Sequence, residues 1–83
     1  MKTLYLYILR CSDESFYTGV TNDMDRRLWE HQQGVDEDAY TYSRRPVEVV
    51  FLDEFPDPTQ AIEAEKRVKS WSLAKKQALI DGN

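Results

Sequence analysis

The amino-acid sequence predicts an α+β layered domain, a small and mainly antiparallel three-stranded sheet with packed helices, in the order β-β-α-β-α-α. Three observations lead there. LYLYILR, residues 4–10, is apolar on both alternating faces, which suits a central strand covered on both sides. SDES then supplies turn chemistry, and SFYTGV reads as the partner strand of a hairpin. Further along, stretches with helical spacing begin at capping residues. The 83 residues make one small domain spanning 1–83. At this size only roughly 60% of the unfolded surface is buried and no second core is expected, so any active site must be built on the scaffold itself.

Within the first strand Leu4, Leu6 and Ile8 share one face, and Tyr5, Tyr7 and Leu9 share the other. Gly19 in the second strand marks a close backbone approach or a bulge. The first helix should start at Asn22 as N-cap, carry Asp23 and Asp25 in the turn where the dipole favours acids, and stop near Gly34. VDEDAYTYSRRP is a connecting loop, and VEVVFLDEF, rich in β-branched and aromatic residues, is the third strand. Asp57 caps a second helix, with Pro58 at N1 and Gln60 at N3, that runs to about Ser70. A third helix covers Ser72 to Asp81 and ends at Gly82.

Composition narrows the function classes. Hydrophobic residues at 41%, with only three glycines and three prolines, describe a folded chain and exclude a disordered tail. The single cysteine, Cys11, excludes an internal disulfide and a cysteine metal pair, and reads as a half-buried strand residue. No stretch approaches the roughly 18 apolar residues of a membrane span, and MKTLYLYILR lacks the pattern of a signal peptide, so a cytoplasmic location without membrane contact is expected. The net charge of −4 opposes a bulk electrostatic attraction to nucleic acid. Its distribution is uneven: residues 35–58 carry two basic and seven acidic groups, whereas 59–83 carry five and three.

Some charges lie on the wrong side of their helices. On a helical wheel Met24 and Leu28 define the core-facing stripe of the first helix, and Arg27 and His31 fall within roughly 60° of Met24. In the second helix Ala61, Ala64 and Val68 form the stripe, and Glu65 lies inside that arc while Glu63, Lys66 and Arg67 face away. Charges at the edge of a core cost several kcal/mol unless they are paired or coordinated. A purely structural explanation pairs Glu65 with Lys69 and Arg27 with a loop acid, and leaves His31 a satisfied imidazole. The functional explanation brings Arg27, His31, Glu65 and the hairpin tyrosines into one cleft. An arginine grips a phosphodiester, a lone carboxylate holds one Mg²⁺ completed by water and phosphate oxygens, and histidine and tyrosine carry protons. These are the parts of metal-assisted phosphodiester hydrolysis.

LYI (6–8), YTG (17–19), DRRLWEH (25–31) and AIEAEKRVK (61–69), in this order and spacing, resemble the GIY-YIG nuclease superfamily, in particular its small stand-alone bacterial members. The resemblance runs from about Leu4 to Ile80. It implies that Tyr7 is the general base or water-positioning tyrosine, that Tyr17 contacts the nucleophile or the scissile phosphate, and that Gly19 is the motif glycine. It further implies Arg27 as the phosphate-stabilising arginine, His31 as the proton-relay histidine and Glu65 as the ligand of one divalent ion, Mg²⁺ or Mn²⁺, bound mainly with substrate. Hydrolysis leaving a 5′-phosphate and a 3′-hydroxyl is implied in the same way. Three positions depart from the family pattern: Tyr5 stands at the first-motif glycine, Glu14 replaces the turn glycine often seen in the hairpin, and the late asparagine of some branches has no counterpart.

The resemblance also sets a geometric condition. If paired residue numbers in the hairpin sum to an even value, Tyr7 and Tyr17 share a face, with Tyr5; an odd sum without a bulge separates them. The shared face is expected. Tyr40, Tyr42, Arg44 and Arg45 interleave aromatic and basic residues that can stack bases and hold phosphates, and Lys69 extends the basic set. The expected partner is nucleic acid, DNA first, bound weakly by this domain alone and recognised by shape or delivered by a partner protein. A module that keeps the fold and binds without cutting, or a nuclease acting on RNA, fits the same residues.

Overall fold

The computed structural model describes residues 3–82. It contains β1 (Leu4–Arg10), β2 (Phe16–Thr21), α1 (Met24–Gln33), a 3-10 turn (Tyr42–Arg44), β3 (Glu48–Phe55), α2 (Pro58–Lys69) and α3 (Leu73–Ile80). The order is the one the sequence predicts, with the 3-10 turn added inside the connection read as a loop. The strands form one antiparallel sheet in the order β2-β1-β3, so the strand that is apolar on both faces is central.

That strand feeds two apolar clusters. Leu6 and Ile8 pack with Ala64 and Val68 of α2, joined by Trp71, Leu79 and Ile80, while Tyr7 and Leu9 pack with Cys11, Val47 and the Met24 and Leu28 stripe of α1. Chain length suggests one core; the sheet divides the buried residues into two, with α1 on one side and α2 and α3 on the other. A β-bulge in β3 serves both: Ile8 opposes Phe51 but Leu9 opposes Val49, so the intervening Val50 joins Phe51 on the α2 side while Val49 faces α1. Cys11 is buried at 3% exposure beyond the end of β1, deeper than a half-buried strand residue.

Helix termini follow local chemistry, with one correction. The N-cap of α1 is Asp23, whose backbone is extended and whose carboxylate accepts the Arg26 N–H; Asn22, the expected cap, instead accepts from the Arg26 guanidinium. Gly34 closes α1 at φ 68°, the left-handed conformation that glycine adopts freely. Asp57 caps α2 as expected, accepting from the Thr59 N–H at the second helical position, and Ser72, the expected first residue of the third helix, is the N-cap of α3.

Candidate active site

The hairpin places the two tyrosines. Tyr7 opposes Gly19 and Leu9 opposes Tyr17, an even-sum register that sends both phenols to the α1 face. Their ring centroids are 6.3 Å apart. The Tyr7 phenol reaches across onto β2, which is the close approach signalled by Gly19.

α1 supplies the ionisable pair. Its apolar stripe seats on Tyr7 and Leu9, and Arg27 and His31, one turn apart beside that stripe, follow it inward. His31 is buried, with Nε2 3.1 Å from the Tyr7 hydroxyl and Nδ1 2.7 Å from Thr41 Oγ1. The Arg27 Nε–H donates to the Tyr7 hydroxyl oxygen across 3.4 Å, and its Nη1 pairs with Glu30 at 3.1 Å instead of with a loop acid. The Tyr17 ring meets the His31 ring edge-on with centroids 5.2 Å apart. Thus Arg27 and His31 meet at the Tyr7 hydroxyl, with the Tyr17 ring beside them.

The electrostatics follow from burial and from Arg27. Tyr7 has no exposed surface, and burial pushes its phenol above the usual 10; the Arg27 hydrogen bond opposes this, while Tyr17 and Glu65 add to it. Burial, then the Arg27 charge, pushes His31 below 6.5 against the pull of Glu30, so the imidazole is neutral near pH 7. The Arg27 guanidinium is held even more firmly protonated by its bond to Tyr7.

Glu65 projects from α2, and its charge reaches Tyr7 across the sheet. Its side chain is 18% exposed and pairs with Lys69 at 3.2 Å, as the structural explanation expects, and it is not among the groups gathered at the Tyr7 hydroxyl. Among the described residues no three His, Cys, Asp or Glu groups converge to cage a metal. A single carboxylate with a half-exposed, displaceable lysine fits one hard cation whose other ligands are water and substrate oxygens.

The aromatic and basic residues of the connection are tied into the protein. Tyr40 stacks on Tyr17 with centroids 6.1 Å apart, and the Arg44 guanidinium lies 3.9 Å over the Tyr40 ring while pairing with Asp13 at 3.1 Å. Arg45 lies over Tyr42, donates to the Tyr42 carbonyl and fills the space a side chain at Gly34 would need. Gln32 clamps the end of the connection, its amide donating to the Val47 carbonyl and accepting the Val47 N–H.

Sequence reasoning misses Thr41 and Gln32. Thr41 is 1% exposed yet sits in a stretch with no periodicity, so nothing in its spacing marks it as buried. The only available signal is a small hydroxyl residue between two tyrosines downstream of the sole histidine.

Comparison with known proteins matches the model of the GIY-YIG catalytic domain to residues 3–78. A UPF0213 protein of Natronomonas pharaonis is 42% identical over 76 residues, covering 92% of this chain and 88% of the relative. One from Syntrophus aciditrophicus is 41% identical over 83 residues, covering 100% and 95%. Among solved structures, the solution structure of a UPF0213 protein from Bacillus halodurans is similar with a TM-score of 0.63 at 40% identity, over 95% of this chain and 83% of that one. A protein of E. faecalis gives 0.65 at 34% identity, over 95% and 84%. The hairpin tyrosines, the inward arginine and histidine and the matched span agree, and the chain belongs to the GIY-YIG nuclease superfamily.

Proposed function

We propose that this domain is a divalent-metal-dependent endonuclease that hydrolyses phosphodiester bonds in structured or single-stranded DNA. The observation that carries the reading is the hydrogen-bonded run from Arg27 through the Tyr7 hydroxyl to His31. Arg27, with its side chain 42% exposed, is the member that can leave Glu30 and grip a phosphate. Neutral His31 is poised to accept the Tyr7 proton, and Tyr7 in turn can take a proton from an attacking water once Arg27 moves outward. Tyr17 presents the second phenol beside them. Glu65 would hold the metal, Mg²⁺ or Mn²⁺, mainly together with substrate. Such an ion, when bound, supplies positive charge to the phosphate and acidity to its water.

Incubating branched and single-stranded DNA, with matching RNA, in Mg²⁺ or Mn²⁺ tests the reading. Cleavage by the wild type and its loss in Arg27→Ala and Glu65→Ala is expected. Equal cleavage by all three proteins means that the activity belongs elsewhere. The rival, a module that binds without cutting, draws support from the complete enclosure of Tyr7 and the intramolecular ties of Arg44 and Arg45. It predicts oligonucleotide binding with no turnover.

A further inference from the structure

The far side of His31 is as closely built as the side facing Tyr7. The Tyr7 oxygen accepts the Arg27 Nε–H, so the phenol's own proton needs another acceptor, and His31 Nε2 at 3.1 Å provides it. Nε2 must then be bare, which leaves the imidazole proton on Nδ1, where it donates to Thr41 Oγ1 at 2.7 Å. Thr41 is held in place: its carbonyl accepts the Arg44 N–H, and the Gln32 clamp on Val47 fixes the end of its segment. With its oxygen taken by the histidine, the threonine's proton is free to turn away from the ring. A cavity of about 100 Å³ lies there, with Arg27, Glu30, His31, Gly34, Asp36 and Thr41 in its wall. That is room for several waters.

We propose that Thr41 is a positioning residue that, together with Tyr7 on the opposite side of the ring, fixes which nitrogen of His31 carries the proton, and that the cavity behind it is where the proton leaves the site. The catalytic half of this inference rests on the nuclease reading. Each link hands on one proton: Tyr7 Oη to His31 Nε2, His31 Nδ1 to Thr41 Oγ1, and the threonine hydroxyl to cavity water. The phenolate so formed takes its replacement from the attacking water. One proton has moved from the nucleophile to solvent and nothing is oxidised or reduced. The groups facing His31 are Tyr7 of β1, Tyr17 of β2, Arg27 and Glu30 of α1, and Asp36 across the cavity. Glu65 acts on Tyr7 from α2.

The ring nitrogens of His31, the sole histidine, report the tautomer directly in a long-range ¹H–¹⁵N correlation spectrum of the ¹⁵N-labelled full chain at neutral pH. The Nδ1–H form is expected in the wild type and in Thr41→Ser. In Thr41→Val a methyl of similar shape offers that proton no acceptor, Tyr7 alone is left to favour a bare Nε2, and the Nε2–H form should gain population. A wild-type ring in the Nε2–H form overturns the inference without reference to any variant, and so does an unchanged ring in a folded Thr41→Val. In turnover, kcat of Thr41→Val should fall at least tenfold, with KM little changed and with rescue by Thr41→Ser, since a positioned acid or base contributes roughly 10²- to 10⁴-fold. Full turnover by Thr41→Val overturns the relay. The expected tautomers in a wild type that cleaves nothing support the hydrogen-bond assignment and overturn the nuclease reading.

Discussion

The Tyr7 hydroxyl lies 2.5 Å from the place a β-carbon on Gly19 would occupy. Gly19→Ala should therefore expel the phenol from its seat. Tyr7 is buried and bonded to both His31 and Arg27, so the displacement is not free; overpacking of this kind costs about 1–3 kcal/mol. The expected outcome is a thermal midpoint lower by several degrees, together with altered His31 ring resonances. A variant with wild-type values for both would show that the phenol has room to spare.

Stability should depend on pH through His31. Its folded pKa lies below its ordinary 6.5, so between the two values the unfolded chain binds more protons than the native one. The contribution is fully present above pH 6.5 and is lost as pH falls through the folded pKa. Denaturant titrations from about pH 7.5 to 5 should show stability falling in the wild type and a shallower fall in His31→Gln. Parallel curves would mean that the imidazole titrates alike in both states.

Glu14 occupies the hairpin turn at φ 70°, the left-handed conformation that glycine adopts freely. Side chains with a β-carbon pay roughly 1–2 kcal/mol there. Glu14→Gly should raise stability by about 1 kcal/mol, seen as a melting point about 4–8 °C higher for a domain of this size. A lower melting point would overturn this account of the turn.

Thr18, opposite Ile8 and 3% exposed, buries a hydroxyl that has no hydrogen-bond partner among the described residues. Thr18→Val keeps the branched shape and removes the unsatisfied oxygen, so a gain of about 1 kcal/mol is expected in urea unfolding. A loss would point to a partner for that hydroxyl, such as bound water.

Asp13 holds Arg44 in an exposed ion pair while accepting two hydrogen bonds from Ser15. Asp13→Asn keeps an acceptor for the turn and releases the guanidinium. Oligonucleotide binding at low salt should tighten a few-fold, and the gain should shrink as salt rises past about 0.15 M, where the Debye length is about 8 Å. Unchanged affinity would separate Arg44 from the nucleic-acid surface.

The two-faced character of LYLYILR is legible because alternation carries burial directly, and Asp57 and Gly34 are legible because caps act locally. The start of α1 shifts by one residue because Asn22 and Asp23 are both competent caps and the backbone decides between them. Arg27 and His31 stand out on the wheel as charges beside an apolar stripe, a conflict between pattern and chemistry that marks a site. Sequence shows that Arg44 and Arg45 are cations, but not that Asp13 and the backbone carbonyls of Tyr40 and Tyr42 already hold them. Thr41 stays hidden because irregular backbone leaves no period from which burial can be read.

Tyr7 belongs to the packed interior and to the hydrogen-bonded run between Arg27 and His31 at once. Packing and the polar network therefore share a side chain. Any substitution at position 7 would breach the α1-side packing and sever the Arg27–His31 link in a single step, which makes this the least exchangeable position of the hairpin.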